Sequence, residues 1–541
     1  MRREDLRHVS RHYAVRHFAR KAEWEAYAVW LRRNSRVGLG LLPEPPESPL
    51  RPRVFDRWIG DRFTCEKFFF ESLPGFYVTG NLYRPSETPR RRGAPGILCP
   101  HGHWPDGRLH DHDPLGSVVM RCIQLARMGA TVLSLDMVGM NDSAQLPHRE
   151  FGCDPHWGLS LMAVQTWNSI RALDFLLTLP EVDPKRIGVT GASGGGTQTF
   201  TLGAVDDRVA VAAPICMISY EMQGGCLCEN APLLRLDATS VDLARLFAPK
   251  PMFMGSCTGD WTHSTPRKEL PAVHEIYSLY RAAGRLGHLH VDEKHNYNQT
   301  MREAVCGFFR RWLWHTRSAR PVPEEGAIRP PLRDRMVWWG RSAPEAIPWK
   351  EFRELWRSRG ESALRPHLTG PAAARRHLGP LLTHVLGVTL TSLSEFARKA
   401  PEGIALRSEG DRLVIAPRPF LDLSREVPFF TAYNRTPIGE RVHEILAAVR
   451  KCSGKVKLVG QGKAGTWCLL ATALSGQAKA VDADLRGFDP ERDASWRTHL
   501  NLPSIRQIGG LATVFAMIGS RPMTLRHASP AVERLAARYA R

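Results

Sequence analysis

Residues 186–197 read RIGVTGASGGGT, a short apolar run that passes directly into the pattern G-x-S-x-G. The run predicts a buried strand, and the residues that follow it, through Phe200, are compatible with a helix. Glycines two positions before and after Ser193 allow a sharp reversal of the chain, which would project the serine hydroxyl at the carboxyl end of the strand. The pattern predicts Ser193 as a nucleophile, and the alternative is a glycine-rich turn without a chemical role.

A serine nucleophile needs an imidazole that takes its proton and an acid that orients the imidazole. The strand-like run 250–256 precedes Asp260, and a second such run, 289–292, precedes His295. Both residues follow Ser193 in the order serine, acid, histidine. We therefore predict Asp260 as the acid and His295 as the base. The alternatives are a turn-forming aspartate and a capping or surface histidine.

The expected oxyanion hole needs two backbone N–H groups. We predict one from Gly194, which follows the nucleophile, and the other from Gly102 or His103, on the loop after the strand-like run 96–99. Other side chains near these loops are candidate substrate contacts, with local packing or ion pairing as the alternative: His101, Trp104, Glu229, Arg235 and Trp261.

Several histidines and cysteines raise the question of a metal. His101, His103, His110 and His112 lie close together in the sequence, but no further ligand group recurs at the spacing of a metal site. Cys226 and Cys228 could bind a metal or pair with other thiols, although packing as small apolar groups is favoured. We therefore predict no metal and no cofactor.

Composition limits the class of protein. The chain has 541 residues, of which 43% are hydrophobic and 24% charged, as in globular proteins with large cores. Its net charge of +20 comes mainly from arginines scattered among acids, and the densest run, residues 90–92, lies beside prolines. We therefore expect no nucleic-acid partner. With no long apolar segment and no export signal, we also expect no membrane association and a cytoplasmic location, and secretion is the alternative if the true start lies upstream. A homo-oligomer is left open.

Strands alternate with helices along much of the chain, which predicts an α/β fold with a mostly parallel sheet covered on both faces. We divide the sequence into an N-terminal helical extension, a catalytic domain, a linker with a helical segment, and a smaller C-terminal domain. The predicted boundaries are 1–60, 61–316, 317–369 and 370–541.

Residues from about 60 to 315 resemble the α/β-hydrolase superfamily, and more closely its acetyl xylan esterase and dienelactone hydrolase-like branch of carbohydrate esterases. The motifs that carry this resemblance are GASGGGTQT at 191–199, GGCLCENAP at 224–232, TGDWT at 258–262 and HNYN at 295–298. The resemblance implies an α/β-hydrolase fold, the same three catalytic residues and hydrolysis of acyl or uronate esters of carbohydrates. Peptidase or lactone hydrolase activity is the alternative within the fold. A non-catalytic binding or scaffold protein is the alternative of another class.

The C-terminal part resembles an altered second copy of the catalytic domain. Residues 455–465 contain G-x-G-x-x-G after a strand-like run, which would suit a dinucleotide-binding turn. A shift of 269 residues instead places Gly460 on Gly191 and Gly462 on Ser193. We predict a tandem duplication whose second copy is inactive, because its nucleophile is glycine and neither an acid nor a histidine loop is expected after Leu525. An unrelated small α/β domain is a further alternative.

Overall fold

The computed structural model describes most of the chain, apart from the side chain of His112: residues 6–10, 13–87, 93–112, 116–324, 330–331, 333–338, 345–388, 401–419 and 423–539. Within these ranges no helix combines the length and apolar character needed to cross a membrane.

The first domain is built on a nine-stranded sheet with the order β1-β2-β3-β7-β4-β8-β9-β10-β11. The first three strands pair in antiparallel fashion and β3 is antiparallel to β7, whereas all pairs from β7 to β11 are parallel. The strands, including the separate β5–β6 pair, are β1 (Arg53–Gly60), β2 (Phe63–Leu73), β3 (Phe76–Pro85), β4 (Ala94–Leu98), β5 (Asp111–His112), β6 (Gly116–Ser117), β7 (Thr131–Leu135), β8 (Val182–Ala192), β9 (Val211–Ile215), β10 (Met252–Gly259) and β11 (Leu286–Lys294).

Helices cover both faces of this sheet, because its central strands are apolar on both sides. One core includes residues of the helices Lys21–Gly38, Leu161–Thr178 and Gly194–Val205. The other core includes residues of Val118–Arg127 and Gln299–Leu313. Two shorter helices of this domain are Ser240–Arg245 and Glu269–Leu279. This arrangement confirms the predicted α/β-hydrolase type of sheet.

One predicted boundary and the description of the linker need correction. The strand β1 belongs to the main sheet, so the N-terminal extension ends before residue 53 rather than at residue 60. The predicted linker packs against the catalytic domain: Trp338 stacks on Phe69 with ring centroids 4.5 Å apart, and the buried Trp356 donates a hydrogen bond to the carbonyl oxygen of Trp157. Apolar aromatic residues in a segment rich in proline and charge were the signal for this packing. The helices of the segment and its continuation are Arg333–Met336, Trp349–Leu364, Pro371–His377 and Gly379–Val385.

The C-terminal domain has its own five-stranded sheet, with the order β12-β13-β14-β15-β16. Its first pair is antiparallel and the others are parallel. The strands are β12 (Ile404–Glu409), β13 (Arg412–Pro417), β14 (Val456–Gly460), β15 (Ala478–Asp484) and β16 (Met523–Arg526). The helices are Phe430–Tyr433, Pro437–Arg450, Ala464–Leu474, Asp493–His499, Gly510–Ile518 and Pro530–Tyr539.

The turn after β14 repeats the geometry of the turn after β8. Ser193 and Gly462 both have a φ of 57°. A Cβ added to Gly191 would lie 2.7 Å from the carbonyl oxygen of Gly195. With the shift of 269 residues, the corresponding pair is Gly460 and Ala464, and there the same distance is also 2.7 Å. The two turns therefore share one shape, which supports the duplication; the duplication itself stays a prediction.

One expectation about the second copy is wrong. An acid and a histidine do meet near its turn: Nδ1 of His527 lies 2.9 Å from Oδ1 of Asp484, and Oδ2 of Asp484 accepts a hydrogen bond from the backbone N–H of Gly462. The sequence argument missed this pair because it looked for an acid after β16, whereas Asp484 ends β15. The nucleophile position is still a glycine.

The two domains meet along the segment that follows β9. The backbone N–H groups of Leu233 and Arg235 donate to the carbonyl oxygens of Thr431 and Ala432, over 2.7 and 2.9 Å. The hydroxyl of Tyr433 lies 2.5 Å from Oδ1 of Asn230, in a buried contact. The C-terminal domain thus holds the loop that carries Cys226 and Cys228.

Candidate active site

Ser193 occupies a strained turn at the carboxyl end of β8. Its backbone has φ 57° and ψ −125°, a combination that few residues with side chains adopt, and the helix Gly194–Val205 begins at the next residue. A Cβ on Gly191 would lie 2.4 Å from the carbonyl oxygen of Pro100, so only glycine fits beside the loop after β4. The sharp turn that G-x-S-x-G predicted therefore lies at Ser193, between the strand β8 and the helix that follows it.

Asp260 and His295 form a hydrogen-bonded pair at the same edge of the sheet. Oδ2 of Asp260 lies 2.7 Å from Nδ1 of His295, and the aspartate side chain is 1% exposed. The other carboxylate oxygen accepts hydrogen bonds from the backbone N–H and the hydroxyl of Thr262. Because a carboxylate only accepts, Nδ1 of His295 carries the proton and Nε2 keeps its lone pair.

The free nitrogen of His295 has no hydrogen-bond partner among the described residues, although it is buried. A buried polar atom without a partner costs stability and commonly marks a functional position. Ser193, Asp260 and His295 follow β8, β10 and β11, whose parallel order brings their carboxyl ends to one edge of the sheet.

The loop after β4 lies over this edge. A Cβ added to Gly102 would lie 3.0 Å from Cβ of Ser193, and one added to Gly194 would lie 3.0 Å from Cε1 of His103. The backbone of Gly102 and the start of the helix at Gly194 therefore flank the serine, as an oxyanion hole requires. The assignment of Gly194, Gly102 and His103 as donors stays a prediction.

Two tryptophans stand beside the imidazole. The ring of Trp261 lies 4.6 Å from that of His295, and the ring of Trp104 lies 5.8 Å from it, measured between centroids. Trp104 also stacks on His110, at 5.0 Å. Both tryptophans are only partly buried, so their predicted contact with substrate fits their position and stays a prediction.

His101 does not face the site, and its predicted substrate contact is wrong. The residue is fully buried, its Nδ1 lies 2.7 Å from the carbonyl oxygen of Gly102, and its Nε2 accepts a hydrogen bond from the backbone N–H of Met137. Burial lowers the pKa of His101 to about 3. A neutral imidazole with both nitrogens engaged anchors the loop and is not available to a ligand.

Glu229 and Arg235 are likewise engaged inside the protein, which contradicts their prediction as substrate contacts. The carboxylate of Glu229 accepts hydrogen bonds from the backbone N–H groups of Gly225 and Cys226, and from the hydroxyl of Thr197. Burial raises the pKa of Glu229. Arg235 is fully buried and donates to the carbonyl oxygen of Glu229. These charged residues shape the loop between β9 and the helix Ser240–Arg245.

The structure also brings together four side chains that the sequence did not connect: His103, His148, Cys226 and Cys228. One ligand atom from each lies within 4.8 Å of the others. Sγ of Cys228 lies 3.1 Å from Nε2 of His103, and Sγ of Cys226 lies 3.4 Å from Nε2 of His148. Both thiols also pack in the core, Cys228 as a buried member and Cys226 against its edge, so the predicted apolar packing is accompanied by polar contacts to the histidines. His148 was missed because it follows β7, far from the other three in the sequence.

The two thiols of this cluster differ in acidity. Hydrogen bonds from Cys228 and from the two imidazoles lower the pKa of Cys226, whereas burial raises the pKa of Cys228. The sequence also raised a group of four histidines as possible metal ligands: His101, His103, His110 and His112. This group does not form, because both nitrogens of His101 are engaged in other hydrogen bonds. The side chain of His112 lies outside the described residues.

Comparisons with known proteins find similarity to esterases and hydrolases. A family model described as glucuronyl esterase, fungi, matches residues 155–226, which include Ser193. A Bacillus subtilis (strain 168) protein named "Putative hydrolase YtaP" is 24% identical over 212 residues, covering 35% of this chain and 67% of the relative. The thiohydrolase apmlB of Arthrinium phaeospermum is 28% identical over 151 residues, covering 28% of this chain and 42% of the relative.

Among solved structures, Methylesterase BT1017 is 33% identical, with a TM-score of 0.48, over 54% of this chain and 65% of that protein. The chain thus spans under two thirds of the methylesterase and under half of the thiohydrolase.

The domain is of the α/β-hydrolase type. Three features define it: the order of the strands in the sheet, the strained turn at Ser193, and the hydrogen-bonded pair of Asp260 and His295. The match of residues 155–226 to a glucuronyl esterase family model and the similarity to the Bacillus subtilis hydrolase are consistent with the carbohydrate-esterase resemblance that the sequence motifs indicated.

Proposed function

We propose that the protein is a serine carboxylic ester hydrolase in which Ser193, His295 and Asp260 act as nucleophile, base and orienting acid. The observation that carries the proposal is the state of His295. Its Nδ1 is bound by a buried carboxylate, 2.7 Å away, and its Nε2 is buried without a hydrogen-bond partner among the described residues. An imidazole fixed in this tautomer is ready to accept a proton.

The chemistry proceeds in two halves. Ser193 Oγ bonds to the ester carbonyl carbon while its proton moves to Nε2 of His295, and the carbonyl electron pair moves to the oxygen. Backbone N–H groups of Gly194 and of the loop at Gly102 and His103 stabilise that oxyanion. Its collapse expels the alcohol, which takes the proton from His295. Water then attacks the acyl-enzyme by the same route and releases the acid and the free serine.

The substrate class that we propose is an ester of a sugar uronic acid. The matched family is named for glucuronyl esters, and the 33% identical structure is a methylesterase. Trp104 and Trp261 beside His295 offer flat apolar surfaces of the kind on which sugar rings stack. Acyl esters of carbohydrates, lactones and peptides are the competing substrates.

The test compares the wild type with Ser193→Ala and with the matched control Ser278→Ala, which alters an exposed serine. The substrates are methyl glucuronate, an acetylated sugar, a lactone and a short peptide. We expect hydrolysis of the uronate ester, a loss of kcat of about 10⁴-fold or more in Ser193→Ala, and no loss in the control. Activity retained by Ser193→Ala would exclude this nucleophile. Inactivity of the wild type on all four substrates would favour the non-catalytic alternative.

We further propose that residues 370–541 form an inactive hydrolase-like domain with a structural role. Gly462 stands where the nucleophile would be, and the backbone hydrogen bonds to Leu233 and Arg235 support a role in holding the loop after β9. The same experiment tests the inactivity of this domain: Ser193→Ala should leave no residual hydrolysis attributable to a second site.

A further inference from the structure

The cluster of His103, His148, Cys226 and Cys228 lies directly beside the nucleophile turn. A Cβ on Gly194 would lie 3.0 Å from Cε1 of His103, so the histidine ring rests on the residue after Ser193. Cys228 is 1% exposed and His148 is 9% exposed. The proposed hydrolysis uses none of the four side chains for proton transfer.

The atoms that face one another are all suited to a metal. Zinc takes tetrahedral sets of cysteine sulfur and histidine nitrogen, with bonds of about 2.3 and 2.0–2.1 Å. Two ligand nitrogens should therefore lie about 3.3 Å apart, a nitrogen and a sulfur about 3.6 Å apart, and two sulfurs about 3.8 Å apart. The nitrogen–nitrogen distance between His103 and His148 is 3.2 Å. The two nitrogen–sulfur distances are 3.1 and 3.4 Å. These three distances are close to tetrahedral values, and all four ligand atoms lie within 4.8 Å of one another.

The surrounding hydrogen bonds orient these ligands. Nδ1 of His148 lies 2.7 Å from the carbonyl oxygen of Val138, so this nitrogen is the donor and Nε2 presents a lone pair to the cluster. A backbone carbonyl in this position is a common outer partner of a metal-bound histidine. Glu229 holds the cysteine loop through the backbone N–H groups of Gly225 and Cys226.

A cation would also replace the hydrogen bonds within the cluster. The lone pair of His148 Nε2 faces His103 Nε2 at 3.2 Å, next to two sulfur atoms. Without a metal, thiol S–H and imidazole N–H groups supply the protons in these contacts. A divalent ion bound by two thiolates is neutralised in charge and satisfies all four atoms at once.

We propose that His103, His148, Cys226 and Cys228 form a zinc site with all four positions filled by the protein. Sites of this closed kind are structural, whereas catalytic zinc keeps an open position. The ion would join three loops, which follow β4, β7 and β9, and would fix the loop at Gly102 over Ser193. The zinc therefore supports the active site and takes no part in proton transfer.

The experiment measures metal directly. The full chain is purified under reducing conditions, and its zinc content is determined by elemental analysis before and after removal and readdition of zinc. Cobalt is then substituted for zinc. We expect about one zinc ion per chain and, with cobalt, the thiolate charge-transfer and intense visible bands of a tetrahedral sulfur–nitrogen site. Removal of zinc should lower the Tm by roughly 5 °C or more.

Variants locate the site. Cys228→Ser and His148→Asn should lose the cobalt spectrum, whereas the matched controls Cys153→Ser and His274→Asn, at exposed positions, should keep it. Absence of stoichiometric metal in the reconstituted wild type, or a cobalt spectrum without thiolate bands, would overturn the proposal even if every variant failed to fold. A disulfide between Cys226 and Cys228 in the reduced, reconstituted protein would also overturn it. Because metal content is measured without substrate, this result is independent of the proposed hydrolysis.

Discussion

The replacement Asp260→Asn tests the acid–base pair with the smallest change in shape. The carboxylate accepts from three donors: Nδ1 of His295 on one oxygen, and the backbone N–H and hydroxyl of Thr262 on the other. Asparagine has one accepting oxygen and one donating NH₂ group. It cannot serve both sides.

The environment decides which way the asparagine turns. With its oxygen toward His295, the NH₂ group would face the N–H of Thr262, and leaving that buried donor unpaired costs about 1–3 kcal/mol. The oxygen therefore stays on Thr262, and the NH₂ group faces Nδ1 of His295. Nδ1 then has to accept, which moves the imidazole proton to Nε2, where the serine proton should be received.

We expect Asp260→Asn to lower kcat by about 10⁴-fold, or about 5 kcal/mol of transition-state stabilisation. The assay follows hydrolysis of an activated aryl ester and of methyl glucuronate under saturating conditions, with the Tm measured in parallel to show that the fold is retained. Asp292→Asn, at an exposed position of β11, makes the same chemical change and should retain full activity. Retention of more than a tenth of the wild-type kcat by Asp260→Asn would refute the assigned tautomer.

Two further predictions address the oxyanion loop and acid stability. Gly102→Ala would bring a methyl group within 3.0 Å of Cβ of Ser193 and should lower kcat about 100-fold. Gly284→Ala, with open space around the residue, should have no effect. Equal activity of the two variants would contradict the assignment of the Gly102 loop to the oxyanion hole. Burial lowers the pKa of His443 to about 3, so the unfolded chain, with a histidine pKa of about 6.5, takes up this proton first as the pH falls. Stability present above pH 6.5 is therefore lost on acidification, by about 2 kcal/mol at pH 5 from this residue. The free energy of unfolding is measured with urea at pH 7 and at pH 5. Between these pH values it should fall less in His443→Asn than in the wild type, whereas the exposed-site control His274→Asn should lose as much as the wild type. An equal loss in His443→Asn and the wild type would contradict the burial argument.

The sequence predicted the placement of residues at strand ends better than the surroundings of residues in loops, while the catalytic roles stay predictions. Ser193, Asp260 and His295 each follow a short apolar run, and parallel strands bring such positions to one edge. That argument needs only local patterns and the order along the chain. It could not predict whether a charged side chain in a loop meets substrate or protein, and so it misassigned His101, Glu229 and Arg235.

The histidine–cysteine cluster lay beyond the reach of local patterns. Cys226 and Cys228 gave a weak signal, but His103 and His148 lie 125 and 78 residues from their sulfur partners. Their meeting depends on the order of β4, β7 and β9 in the sheet, which places three loops together. The packing of Trp356 against the catalytic domain depends on tertiary contacts in the same way.

The most direct test of the proposed function is covalent labelling of the wild-type protein with a fluorophosphonate, followed by peptide mass mapping. The strained turn and the oriented imidazole predict a single adduct on Ser193, formed rapidly by the wild type and lost in Ser193→Ala and His295→Ala. An adduct on any other serine, or labelling that persists when His295 is replaced, would contradict the assignment of the nucleophile and its base.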